Sequence, residues 1–134
     1  HILSAMWDKL LFISAFGGVG AVTRQPAGIL RTLPETRSLL TQAMQEVKAV
    51  AEAQHIPIGE DAVEKGLAIM ETVPEDGTAS MQRDIMNGLP SELDAQNGAV
   101  VRLGKAVNTP TPINEFIYNA LLPSEKIARG ELSS

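Results

Sequence analysis

The spacing of apolar residues between Pro34 and Gln54 constrains the fold of this chain more than any other feature. Leu39, Leu40, Ala43, Met44, Val47, Val50 and Ala51 recur at intervals of three and four, which places them on one face of a helix. Pro34 suits the first turn, where no backbone N–H is required. Ile56-Pro57 closes the segment, because a residue before proline is driven out of the α region. The same period returns downstream. It predicts a helix from about Glu60 to Thr72 with Val63, Leu67 and Met70 on one side, a third from about Thr78 to Asn87, and a fourth from Glu92 to about Val107. Pro74-Glu75-Asp76-Gly77 reads as a turn. Pro110 and Pro112 break the chain before a last helix, Ile113 to Leu122, with Phe116, Ile117 and Leu121 inward. The tail from Pro123 is polar and is expected to end as a frayed helix. No two period-two segments flank a hairpin turn, and aromatic residues make up only 4% of the chain. The expected fold is a single all-α domain.

Composition narrows the functional classes. A chain of 134 residues is large enough for one core without covalent staples. It holds no cysteine, which excludes disulfides and thiolate metal sites and suits a reducing compartment. The formal charge of −5 and the scatter of the basic residues disfavour nucleic acid and anionic membrane as partners. The uncharged stretch Leu10–Thr23 falls short of the roughly 20 apolar residues that a bilayer requires, so no membrane span is expected. Asp8 and Lys9 directly before it argue against a signal peptide. A cytoplasmic protein is the expectation. His1 and His55 stand apart, without the acidic neighbours that a metal site or a Ser-His-Asp arrangement needs. The first residue is not methionine and the opening residues read as mid-helix, as expected of a piece of something longer.

One segment is ambiguous. Leu10-Leu-Phe-Ile-Ser-Ala-Phe16 reads equally as a buried strand, and Gly18-Val-Gly20-Ala-Val-Thr23 falls one residue short of the dinucleotide fingerprint. That fingerprint needs a long following helix with its N-terminus on the pyrophosphate, and Pro26 stops any such helix early. The glycines are therefore expected to admit a neighbouring helix or to bend a long first helix. The chain should carry no nucleotide site of its own.

Ser80 to Gly98 is denser in polar groups at fixed offsets than a plain structural helix. Ser80-Met81, Asp84-Ile85 and Gly88 lead through Pro90 into Ser91-Glu92-Leu93-Asp94, followed by Asn97-Gly98. Ser91 with Asp94 three residues on predicts a capping box. This block resembles the C-terminal substrate domain of the ketopantoate reductase family, where a Ser-Met-x-x-Asp stretch runs into a [Ser/Thr]-Glu-[Ile/Leu]-Asp-x-x-Asn-Gly stretch. Trp7-Asp8-Lys9-Leu10 and Thr111-Pro112 are similar to two further motifs of that family, so the likeness runs from about Ile2 to about Leu122.

The resemblance implies a helical domain of the 6-phosphogluconate dehydrogenase C-terminal-like type, with an NADP-binding Rossmann domain lying outside this chain. It implies reduction of a 2-oxo acid by NADPH, most specifically ketopantoate to pantoate on the route to coenzyme A, with a homodimer among the expected assemblies. Lys9 would be the general acid, Ser80 would bind the substrate carboxylate, and Glu92 its distal hydroxyl. The chain alone would be inert. On residue type alone, Lys9 reads as a surface lysine, Ser80 as a helix start and Glu92 as a first-turn carboxylate that favours the macrodipole. Leu10, Phe12 and Ile13 are expected to desolvate Lys9 in part. Asp84, Asp94 and Asn97 are expected to be structural. Ile13, Gly17 and Gly77 stand where the family usually has asparagines, which opens a second substrate reading: a different or more apolar 2-oxo acid. A non-catalytic helical oligomerisation or adaptor module is the rival from another class.

Overall fold

The computed structural model describes residues 2–133, and all regular secondary structure among them is helical. Helix α1 (Ile2–Thr23) is followed by α2 (Ala27–Thr32), α3 (Pro34–Ala53), α4 (Ala62–Thr72) and α5 (Ser80–Met86). A π-helical turn, Asp94–Gly98, leads into α6 (Ala99–Ala106), and α7 (Pro112–Ala128) completes the fold. The ambiguous segment Leu10–Phe16 is helix throughout.

Helix α1 is the axis of the domain. It packs against α2, α3, α4, α5, α7 and the π turn, and every residue from Ser14 to Ala21 is buried. A helix enclosed on all sides has no polar face to keep, which is why its sequence is uncharged there. At 22 residues, with mean hydropathy 1.4 over its most apolar window, α1 is long and apolar enough to cross a membrane. That differs from the expectation drawn from Leu10–Thr23, because the helix begins eight residues earlier, at Ile2. Its second half, from Ser14 to Ala21, is buried among the neighbouring helices. The glycines of its second half permit that burial. A Cβ on Gly18 would lie 2.9 Å from both Asn97 Nδ2 and Ile117 Cγ2, and one on Gly20 would overlap the Gln82 amide. They serve close helix approach and cradle no phosphate. Helix α1 ends at Arg24 in the left-handed region, φ 62°, and Pro26 opens α2, a short helix that the periodicity did not announce.

Helix α3 supplies the largest apolar face, with Leu40, Ala43, Met44, Val47, Val50 and Ala51 fully buried as the spacing predicted. Two expectations are corrected. The fourth helix does not start as α-helix at Glu92: Gly98 N–H reaches back five residues to Leu93 O at 3.0 Å, so the first turn is wide and α6 begins only at Ala99. The last helix does not fray at Pro123. It continues to Ala128, because Glu125 beyond the proline is buried and anchored (below), which offsets the hydrogen bond that proline lacks.

A ladder of buried side-chain amides ties four elements together. Asn97 Nδ2 on the π turn donates to Ser14 O on α1 at 3.1 Å and to Asn114 Oδ1 on α7 at 3.0 Å. Asn114 Nδ2 in turn donates to Ala43 O at 3.3 Å and to Glu46 Oε1 at 2.8 Å, both on α3. The Glu46 carboxylate also accepts the first free backbone N–H groups of α7, from Ile113 at 2.9 Å and Asn114 at 3.0 Å, so one helix caps another. Asn114→Leu keeps the volume but removes one of the two acceptors of Asn97 Nδ2 and the side-chain donor to Glu46. It should cost about 2–4 kcal/mol, read as a lowered midpoint in urea with an unchanged m-value.

Candidate functional site

A cleft of about 330 Å³ opens between the N-terminal half of α1, the start of α5 and the approach to the π turn. Helix α1 contributes Lys9, Phe12, Ile13 and Phe16, whose spacing of three and four places them on one face. Ala79, Ser80 and Met81 form the second wall, and Glu92 and Gln96 the third. Residues some 80 positions apart in the chain thus meet, and the three expected site residues, Lys9, Ser80 and Glu92, share one cleft. Phe12 and Phe16, with ring centroids 5.8 Å apart, and Ile13 give it an apolar floor.

Each wall is held from behind. The α5 wall is fixed by Gln82, fully buried, whose Oε1 accepts the Ala79 N–H at 3.3 Å while Nε2 donates to Gln25 O at 3.0 Å. Ser80 is the first residue of α5; its exposed side chain makes no cap. Lys9 is exposed at the rim and forms no ion pair among the described residues. The first turns of α1 project past the neighbouring helices, leaving Ile2 76% and Met6 61% exposed on the same helix end.

Ser91 carries the loop before Glu92. The expected box with Asp94 does not form; Asp94 is exposed and pairs with Arg102 at 2.8 Å. Ser91 Oγ accepts the Leu93 N–H at 3.2 Å, as a cap would, but its reciprocal carboxylate comes from α7. Glu125 takes the Ser91 hydroxyl on Oε1 and the Ser91 N–H on Oε2 at 2.9 Å, and Arg129 Nε donates to the same Oε2 at 2.6 Å. Arg129 also reaches Ser91 O at 2.9 Å, closing the loop onto α7. Burial acts to raise the Glu125 pKa, but the Ser91 hydrogen bonds, with Arg129 beside it, outweigh that and hold it below its ordinary value of 4.5. A second groove of about 570 Å³ runs along this contact and shares Glu92 with the cleft.

Of the positions where asparagines were expected, Ile13 lines the cleft, and Gly17 lies beneath Met81 and Gln96. Gly77 is elsewhere: its carbonyl accepts the Ala27 N–H at 2.9 Å, and a Cβ would press on Pro74 O at 2.9 Å. Asn97 is structural as expected, whereas the Asp84 side chain makes no cap and only its backbone carbonyl accepts, from Asn87 and Leu89. Gln96 was overlooked as a cleft residue. Its only signal is its place four residues after Glu92. No group of His, Cys, Asp or Glu suited to a metal occurs among the described residues.

Residues 1–125 match the family profile described as ketopantoate reductase PanE/ApbA C terminal. The chain is 29% identical over 121 residues to 2-dehydropantoate 2-reductase of Pyrobaculum aerophilum, covering 90% of this chain and 43% of that protein. To the enzyme of the same name from Mesorhizobium japonicum it is 34% identical over 131 residues, 96% of this chain and 39% of the relative. Among solved structures, a dimeric ketopantoate reductase from Staphylococcus aureus superposes with a TM-score of 0.88 at 29% identity, over 96% of this chain and 45% of that one. The chain spans less than half the length of each of these relatives.

The Glu125 anchor has a pH signature. Its folded pKa lies below the unfolded value near 4.5, so its stabilisation is whole above that pH and is lost as pH falls through the folded value. Glu125→Gln should lower the melting temperature by several degrees at neutral pH, as expected for a buried charge-assisted contact. It should also flatten the acid limb, so that the two curves converge in calorimetry as pH falls below the unfolded value.

Proposed function

Since the chain belongs to the ketopantoate reductase family and matches its C-terminal part, we propose that its cleft binds a 2-oxo acid and protonates the product of its reduction. The observation that carries this is the convergence of Lys9, Ser80 and Glu92 on one cleft from three separate elements. Reduction of a ketone carbon leaves an oxyanion, which needs a proton donor within hydrogen-bond reach. Lys9 Nζ, uncommitted to any carboxylate, supplies that proton and pairs electrostatically with the oxyanion as it forms. Ser80 Oγ donates to the substrate carboxylate. Glu92, its carboxylate at the boundary of cleft and groove, accepts the distal hydroxyl.

The reading commits to ketopantoate as substrate and pantoate as product. NADPH would supply the hydride from a nucleotide-binding domain outside this chain, since the α1 glycines face Asn97, Ile117 and Gln82 and leave no phosphate cradle among the described residues. The chain alone is then inactive, and a cytoplasmic setting and a homodimeric assembly go with this reading. The apolar floor of Phe12, Ile13 and Phe16 favours one second reading, a more hydrophobic 2-oxo acid. A pure adaptor would have no use for a lysine, a serine and a glutamate around one cleft.

Two measurements test this. The coding sequence upstream of His1 should encode a strand, a glycine-rich turn and a helix of the dinucleotide-binding kind; an unrelated segment there would remove the hydride source. In the complete protein, Lys9→Met should lower kcat by roughly two to four orders of magnitude, the usual worth of a positioned proton donor. Near-normal turnover would remove Lys9 from that role.

A further inference from the structure

We propose that Gln96 is the residue that positions Glu92, and that it thereby sets the selectivity of the cleft for a 2-oxo acid bearing a hydroxyl group. The inference rests on the proposed function of the cleft and deepens it. Its starting point is an amide placed where it gains little for itself. Gln96 is only 6% exposed, yet it lines the cleft beside Lys9, Ser80 and Glu92. Its Nε2 donates to Glu92 Oε2 at 3.2 Å, while its Oε1 is buried without any hydrogen-bond partner. A carboxylate only accepts, so this contact fixes which end of the amide faces Glu92.

A glutamine four residues after a glutamate is an ordinary helix-surface pair when both are solvated. Here they are not alike. Glu92 is exposed and Gln96 is in the interior, so the pair runs from the rim of the cleft to its base. A buried acceptor left unpaired is a cost to the fold, which makes packing alone a poor reason for an amide at this position. The backbone is equally particular. Gln96 lies in the π turn, the widened helical turn within which its own N–H still reaches Glu92 O at 3.0 Å. Across from it, α1 carries no side chain at Gly17: the place a Cβ would take is 3.6 Å from Gln96 Oε1 and 3.2 Å from Met81 Cε. A side chain there would press first on the Met81 methyl and would meet the Gln96 amide only at ordinary van der Waals distance.

The consequence concerns the exposed carboxylate. A free glutamate side chain samples many rotamers and must be ordered when it grips a ligand, which weakens binding. Gln96 holds Oε2 in advance and leaves Oε1 of Glu92 to accept the hydroxyl. Gln96 itself touches neither the reacting carbon nor its oxygen, so its effect should fall on recognition of the hydroxyl.

The test uses the complete protein and two substrates, ketopantoate and the same 2-oxo acid with the hydroxyl replaced by hydrogen. Gln96→Met keeps the volume and removes the donor. It should raise KM for ketopantoate roughly three- to tenfold, the worth of ordering one long side chain, and lower the kcat/KM preference for ketopantoate by the same factor. Gln96→Glu places two carboxylates together. Its KM defect relative to wild type should be large near pH 8 and shrink toward about pH 5.5, where a shared proton restores a donor between them. An equal loss on both acids, or an unchanged preference in Gln96→Met together with a pH-independent ratio in Gln96→Glu, would overturn the assignment of Gln96. A wild-type protein that reduces neither acid would instead overturn the proposed function and this inference with it.

Discussion

The hydrogen bond between the Asn97 and Asn114 amides is the contact on which the rest of the domain depends. It joins the π turn to α7, and through Ser14 O, Ala43 O and Glu46 it extends to α1 and α3. Apolar packing alone lets helices slide along or rotate against one another at little cost, because dispersion contacts are non-directional. A chain of buried amides has one register in which its members are paired, and any slip leaves donors stranded in a low-dielectric interior. The ladder therefore fixes where the π turn sits against α1. That is also what sets the position of Gln96 and Glu92 opposite Lys9.

The division of α1 into two halves follows from its sequence and explains where the cleft lies. From Ser14 to Ala21 small and apolar residues allow neighbours on every side, and Gly18 and Gly20 bring Asn97 and Gln82 up to the backbone itself. Toward its start the helix has bulkier side chains and charges, and the neighbours fall away. The cleft forms at this transition, with Phe12, Ile13 and Phe16 as its floor and Lys9 one turn farther out. A rigid half thus presents a side chain from an open half. The proposed proton transfer would need that combination, since a donor must be aimed by a fixed helix yet reach a ligand.

The helices were legible because their information is local. Leu40 to Ala51 repeats at a helical period, and prolines mark the boundaries, so α3 could be placed within a residue or two. What failed was information that resides in other parts of the chain. Ser91 followed by Asp94 has the form of a capping box, yet Glu125, 34 residues away, provides the carboxylate. The same contact carries α7 past Pro123, where local rules ended the helix. The π turn was equally hidden, because an extra residue in a turn is chosen by what packs around it. For the site, the motif likeness named Lys9, Ser80 and Glu92, but only the fold shows that they line one cleft, that Lys9 is exposed, and that Gly77 lies outside it.

The Ser91 contact is one of several in which a polar group near the cleft is paired across the fold, whatever it also bonds locally: Ser91 to Glu125, Gln82 to Gln25 O, Asn97 to Ser14 O. Local pairing would have left each helix end self-sufficient and free to move against the others. Cross-helix pairing ties every wall of the cleft to a different part of the core, so the three walls are fixed with respect to one another. The cost is a set of buried polar atoms, Ser14 Oγ, Gln96 Oε1 and Asn97 Oδ1, without a hydrogen-bond partner among the described residues. All three lie on α1 and the π turn, and Gln96 lines the cleft itself. A fold under pressure for stability alone would replace such atoms with apolar ones. Their concentration at this one junction marks it as the place where the domain gives up stability to hold a geometry.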